Sequence, residues 1–527
     1  MTASPGRAGG PRAEPAGRLP AAVATATATL LAVRRNWLFA ILMTAGFALR
    51  LLAQLAYQPA LLYIDTMRYL YNAYPGADPV GYKAPLKAIL AAGNLTTVTA
   101  VQHLLGLAMA ATVYLMLLSR DTPRWLAAAA VAPVLLDAYQ VQIEQNIMPD
   151  VWFEALIVAG IAILLYRVSA PGLRAVIAAG LVLGAAATIR QVGEILILPA
   201  LLFLLSTGGG WRTIMTRAAA LTAAFAIPIV GYMAGSYLIS GHFWLASSTP
   251  SLSSYGRMAT AADCAALRIP AYERGLCPTA RQRAYGIDWL DHDAASPLKT
   301  YTAPAGHSRY AVIASFDRRV FTQQPGRVLA AIASDGLKLF ALTRTSSQTG
   351  TPISRWQFQR QYPTFGDWVT LGRHQAIVFG LRLTPGSATI TRHVLDPSYG
   401  GPATVRKAPA AFLRAYQLHG GYTPGPLIAL FAVAGLAGSL LVVARRATQR
   451  QRHLTHACVA FFAAGAAILT MSDAFQFSWR YQLPALIALP PAGALGLTVA
   501  ASYLRAWRRA EDGAERTEAA ELASPAV

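Results

Sequence analysis

Long apolar stretches set the pattern of this chain. Runs close to the ~20 residues needed to cross a bilayer fall at 37–57, 98–118, 125–142, 150–167, 218–239, 425–444, 454–472 and 482–504. The stretch 174–206 is also apolar, but Arg190, Gln191, Gly193 and Glu194 interrupt it. It reads as two short helices meeting at that polar point. The expectation is a multi-span α-helical membrane protein with about ten spans.

Polar residues between the runs give an orientation. Arg34 and Arg35 precede the first run, and Arg120 and Arg124 follow the second. Arg167 with Arg174, Arg212 with Arg217, Arg445 with Arg446, and Arg505 with Arg508 continue the series. With ten spans every second loop is basic and lies on one side, which places both termini in the cytoplasm. The expected layout is a disordered tail over 1–30, a membrane module over 31–239, an extracytoplasmic domain of mixed structure over 240–424, further spans over 425–506, and a disordered tail over 507–527. Within 240–424, residues 309–342 show helical spacing, with Tyr310, Val312, Ile313, Phe316 and Val320 on one face.

Composition narrows the function. Hydrophobic residues make up 55% and charged residues 13%, against about a quarter charged in soluble proteins. The formal charge of +21 fits Arg-rich cytoplasmic loops and anionic lipids. No basic stripe interleaved with aromatics points to nucleic acid. Of three cysteines, Cys264 and Cys277 both lie in the expected outer segment, where a disulfide is favoured. Cys458 reads as a small packing residue. P-loop, HExxH and GxSxG motifs are missing.

Candidate chemistry collects at the outer mouths of the helices. Asp65, between apolar neighbours, suits either a general base or a helix N-cap. Lys83 and Lys87, four apart, suit lipid headgroups or a phosphate clamp. Glu144 and Asp150 flank the second outer turn, either solvated or holding an acceptor hydroxyl or a divalent cation. Arg190 breaks an apolar run, and suits a phosphate or an i,i+4 bridge to Glu194. Arg480 opens the last span, facing a phosphate or anchoring at the interface beside Trp479 and Tyr481. Asp291-His292-Asp293 reads as a solvated loop.

In order and spacing these segments resemble the GT-C membrane glycosyltransferases that use polyprenyl-phosphate sugars, a class that includes protein O-mannosyltransferases, lipid A aminoarabinose transferases and mycobacterial arabinofuranosyl- and mannosyltransferases. The resemblance runs over 37–206 and 470–500. It is carried by Asp65 with Arg68-Tyr69, Pro79-Val80-Gly81-Tyr82, Gln102-His103-Leu104-Leu105-Gly106, Ile143-Glu144 through Met148-Pro149-Asp150, Gly184 through Arg190, and Arg480-Tyr481 with Pro484. Lys83 stands where that class usually has Pro. Gly256-Arg257 followed by Cys264 and Cys277, with the high Ala and Arg content, resembles actinobacterial relatives.

The resemblance implies a multi-pass plasma-membrane enzyme of cell-envelope synthesis. A sugar, hexosyl or pentosyl, would pass from a polyprenyl-phosphate donor to an extracytoplasmic glycan, glycolipid or protein hydroxyl, with inversion. Asp65 would take the acceptor proton. Arg190, with Lys83, Lys87 or Arg480, would stabilise the departing phosphate. Glu144 or Asp150 would orient the acceptor or hold a cation such as Mg, Mn or Ca. The competing readings are a flippase or transporter of lipid-linked sugars and a non-catalytic lipid-binding assembly protein.

Overall fold

The structure is a computed structural model, and it describes residues 34–71, 79–166, 170–246, 250–346, 350–360, 368–371, 374–377, 392–393, 399–401, 403–441 and 447–522. The expected N-terminal tail, Asp78, Arg167, Arg445 and Arg446 lie outside these residues.

Each of the apolar runs folds as helix. The first half contains α1 (Trp37–Ala56), the short outer helices α2 (Ile64–Tyr71) and α3 (Lys83–Leu90), α4 (Leu95–Leu118), α5 (Arg124–Leu136), α6 (Ala138–Gln145), α7 (Asp150–Leu164), α8 (Leu173–Ile189), α9 (Ile197–Ser206) and α10 (Trp211–Ser240). Asn94 starts α4 with a capping box: its side chain accepts from Thr97 N–H while Thr97 reaches back. Between α5 and α6 the chain bends by 47° at Asp137, whose side chain accepts from Tyr139 N–H and so caps α6. Helices α8 and α10 cross closely at Gly180 and Gly184. A Cβ at Gly184 would stand 2.1 Å from the Phe225 carbonyl oxygen, so only glycine permits this approach.

Among the described residues five helices are individually long and apolar enough to cross a membrane, or six if α5 and α6 form one bent span, beside the ten expected. The segments Leu173–Ile189, Gln191–Ser206 and Gly425–Leu440 are apolar but shorter. The polar point at Arg190 ends α8 early, which is why 174–206 divides into half-length pieces.

After α10 the outer segment builds α11 (Pro250–Ala261), α12 (Ile287–His292), α13 (Pro297–Thr300), α14 (Arg309–Gln323) and α15 (Pro325–Leu337). Helical spacing over 309–342 thus resolves into two helices, because Pro325 cannot continue α14 and instead starts α15. Tyr255, Leu276, Leu290, Phe316, Val320 and Val328 form a core of their own. Cys264 and Cys277 are disulfide-bonded beside it.

The rest of 240–424 does not belong to that core. Leu339, Ile353 and Trp356 are buried with the membrane bundle. Phe358 and Leu413 pack with Tyr57 and Leu61. Strand β1 (Tyr57–Gln58) precedes α2 in the chain. An antiparallel sheet of β2 (Trp368–Leu371), β3 (His374–Ile377) and β4 (Arg392–His393) has the order β3-β2-β4. Strand β5 (Thr404–Val405) pairs antiparallel with β1, tying this segment back to the end of α1. The chain closes with α16 (Lys407–Leu418), α17 (Gly425–Leu440), α18 (Gln449–Phe475) and α19 (Leu483–Leu522). Helix α19 continues to Leu522 where a disordered tail is expected; the Ala, Glu and Arg of 506–522 are strong helix formers.

Inside the outer core, Asp317 is 7% exposed. Ser254 Oγ donates to its Oδ2 at 2.5 Å, while Oδ1 has no hydrogen-bond partner among the described residues. Burial lifts this carboxyl from 3.8 to about 7, partly offset by the Ser254 bond. A raised folded-state value favours the fold below pH 3.8, and that contribution is lost as pH rises through about 7. Asp317→Asn is therefore expected to melt at a higher temperature than the wild type at pH 8. Thermal unfolding at pH 4 should show no difference.

Candidate functional site

The first outer loop is zipped onto the turn between α6 and α7. Leu61 N–H donates to Gln145 O at 2.9 Å, and Ile147 N–H donates to Leu61 O at 3.1 Å. Thr66 Oγ1 accepts from Tyr63 N–H at 2.9 Å and donates to Ile147 O at 3.1 Å. These bonds start α2 and set Asp65 in its first turn, inside the helix rather than at its N-cap. The same turn puts Asp150 at the first residue of α7, where an acidic side chain complements the helix dipole.

Arg480 joins the two carboxylates. It lies in a 3-10 turn (Trp479–Gln482) that opens the last helix, and it is 6% exposed. Its Nη1 stands 3.2 Å from Asp65 Oδ2 and its Nε 3.3 Å from Asp150 Oδ1. Arg68 holds the other oxygen of Asp65 at 3.0 Å. Arg190 pairs with Asp150 Oδ1 and stacks over the Tyr481 ring at 4.8 Å. The bridge from Arg190 to Glu194 does not form. Helix α8 ends at Arg190, whose backbone is extended (φ −140°, ψ 129°), so i and i+4 no longer share a helix face. Three arginines and two aspartates leave this chain of charges at +1.

A cavity of about 430 Å³ opens above it. Its floor carries Arg190, Arg480, Tyr481 and Glu194 from the bundle, with Tyr69 of α2. Met471, Phe475, Ile189 and Val192 give it an apolar side. The roof comes from the outer segment and carries Asp291, His292, Lys299 and Arg309. Asp291 is thus a wall of the cavity rather than part of a solvated loop. Asp65 is not in the lining; it stands directly behind Arg480.

The other expected residues lie elsewhere. Lys83 and Lys87 sit on α3 outside the cavity lining, Lys83 half-buried and Lys87 exposed. Burial, with Lys87 nearby, pushes the Lys83 pKa down. Glu144 is withdrawn from solvent entirely. It pairs with Arg50 of α1 at 2.6 Å and with His103 Nδ1 of α4 at 3.0 Å. An Arg inside an apolar run requires such a counter-charge. A cation at Glu144 or Asp150 does not suit this geometry, since arginines already face both carboxylates. Among the described residues no three His, Cys, Asp or Glu side chains converge on one point.

One interaction has no counterpart in the sequence reading. Arg344 forms a buried pair with Asp137 at 2.6 Å, surrounded by the rings of Tyr139, Tyr422 and Trp479 at 4.6, 5.1 and 5.3 Å. It fastens the outer segment to the bend between α5 and α6 and holds Trp479, the neighbour of Arg480. The bend itself was the available signal: a polar Asp at the end of an apolar run.

No family model matches this chain, and no curated protein does. Two solved structures are similar. The S. cerevisiae protein O-mannosyltransferase complex bound to the sugar donor shares 17% identity over 43% of this chain and 36% of that one, with a TM-score of 0.32. The archaeal oligosaccharyltransferase from Archaeoglobus fulgidus, in complex with an inhibitory peptide and a dolichol-phosphate, shares 11% over 91% of this chain and 52% of that one, with a TM-score of 0.34. Both likenesses are remote, the chain spans about half or less of either, and neither defines its family.

Separating Glu144 from the cavity has a measurable consequence. Glu144→Ala leaves Arg50 charged and unpaired in the bundle, which costs about 3–5 kcal/mol. Thermal unfolding in detergent should register that loss.

Proposed function

We propose that this chain is a membrane glycosyltransferase of the GT-C type, moving a sugar from a polyprenyl-phosphate donor to an acceptor hydroxyl at the outer membrane surface. One observation carries the reading. Arg480 and Arg190 lie together on the floor of a cavity with an apolar side, and the same Arg480 is bonded to Asp65. A lipid phosphate needs paired guanidinium groups, and its chain needs an apolar exit. Arg480 Nε–H lies 3.3 Å from Asp150 Oδ1 as an ion pair without a hydrogen bond, so this guanidinium is not saturated by its protein partners.

The donor is a phosphodiester with one negative charge. The departing polyprenyl phosphate carries up to two. Arginines on the floor therefore bind the leaving group more strongly than the donor, which is the condition for lowering the barrier. As phosphate engages Arg480, that guanidinium is drawn from Asp65, and the carboxylate becomes a stronger base. The acceptor oxygen attacks the anomeric carbon, the carbon–phosphate-oxygen bond breaks with its electrons going to the phosphate, and Asp65 takes the hydroxyl proton. A single displacement inverts the anomeric centre. No step is routed through a cation. The plasma membrane, with both termini inside and the cavity facing outward, is the location this chemistry fits, and an actinobacterial envelope remains part of the proposal.

The test uses purified protein in nanodiscs with radiolabelled polyprenyl-phosphate mannose and arabinofuranose and cell-envelope extract as acceptor. Wild type should release polyprenyl phosphate from one donor. Asp65→Asn should lose at least ~100-fold in turnover, the range of general-base catalysis. It should bind bare polyprenyl phosphate as tightly as wild type or more so, because Arg480 is freed. Normal turnover by Asp65→Asn would remove Asp65 from this role.

A further inference from the structure

The roof of the cavity contains a carboxyl that the proposed transfer does not use. Asp291 ends its pairing with protein at one bond: Oδ1 accepts from Gly256 N–H at 2.8 Å. A Cβ at Gly256 would lie 2.6 Å from both carboxylate oxygens, so this contact exists only because residue 256 is glycine. Its neighbour Asp288 is treated differently. Arg355 stands 3.2 Å from Asp288, and Gln476 Nε2 donates to it at 3.2 Å. Asp291 has no ion pair among the described residues, although Lys299 and Arg309 share its wall of the cavity. Burial holds the Asp291 carboxyl well above the usual carboxylate range, with the Gly256 bond partly opposing the shift.

We propose that Asp291 is a binding residue for sugar hydroxyls, the roof-side half of a site whose floor takes the phosphate. Ligand charge decides the chemistry. A cation is disfavoured by Arg190, Arg480, Lys299 and Arg309 around the same space, and an anion against the roof gains nothing from Asp291, whose burial favours the neutral carboxyl. A neutral polyol meets neither obstacle. The two oxygens of one carboxyl match adjacent ring hydroxyls, accepting hydrogen bonds from them and, when the carboxyl is protonated, donating one in return. Tyr69 and Tyr481 offer aromatic walls for the less polar face of a ring. At about 430 Å³ the cavity lies within the range of small-molecule sites.

The sugar has two sources, the lipid-linked donor and the acceptor glycan. This inference rests on the proposed function for the phosphate half of the site only. Binding would be measured for wild type and Asp291→Asn with bare polyprenyl phosphate, with polyprenyl-phosphate mannose and arabinofuranose, and with the methyl glycosides of both sugars. Bare lipid should bind both proteins equally. Wild type should favour at least one sugar-bearing ligand, and Asp291→Asn, which cannot offer two acceptor oxygens, should lose that preference by up to about tenfold, the scale of one lost hydrogen bond. Loss on the lipid-linked sugar assigns Asp291 to the donor, and loss on the glycoside assigns it to the acceptor. Equal binding of every sugar ligand by the two proteins overturns the proposal. Failure of bare lipid to bind wild type overturns the function above while the glycoside comparison still tests Asp291. Should Asp291→Asn not fold, Asp291→Glu, which keeps the carboxyl but moves its oxygens, is read by the same comparison.

Discussion

A buried guanidinium must be paired, and Arg480 is paired by two stretches of chain that lie far from it in sequence. Its contacts to Asp65 and Asp150 span 415 and 330 positions. Asp65 is held between Arg480 and Arg68 and Asp150 between Arg480 and Arg190, so the members of the chain hold one another in position. The backbone zipper from Leu61 to Ile147 and the buried Arg344–Asp137 pair serve the same end from two sides. The first aligns the carboxylates, and the second fixes Trp479 and with it the turn that carries Arg480.

That arrangement makes the floor of the cavity both rigid and responsive. The guanidinium groups are oriented before any ligand arrives, which is what electrostatic stabilisation of a developing charge requires. Their counter-ions are carboxylates that a phosphate can displace. In the proposed transfer, binding a lipid phosphate and unmasking Asp65 are coupled through one side chain. A roof built from a separately cored outer segment allows the sugar-facing wall to differ in chemistry from the phosphate-facing floor.

Arg190 was legible in the sequence because a charge inside an apolar run demands a purpose; Asp150 and Arg480 were candidates at the outer mouths of the helices, and the three do meet. Their pairing was not legible. The spacing of Arg190 and Glu194 suggested a helical bridge, but the helix ends between them. Glu144 looked solvated because its partner, Arg50, is 94 positions away and was counted as part of an apolar run. Asp291 looked like a loop residue because only the packing of α12 against the bundle turns it toward the cavity. The helical runs and the break at Arg190 followed from the polar interruption of the apolar pattern, whereas the bend at Asp137 falls inside the run read over 125–142. The outer segment divides among three cores, and no boundary in composition marks that division.

The central claim is that a lipid phosphate displaces a carboxylate at Arg480. A structure determined by electron microscopy in nanodiscs with bound polyprenyl phosphate tests it most directly. The phosphate should lie between Arg190 and Arg480, with the Asp65–Arg480 contact opened from its 3.2 Å separation. A phosphate bound elsewhere, or bound with that contact intact, would contradict the account.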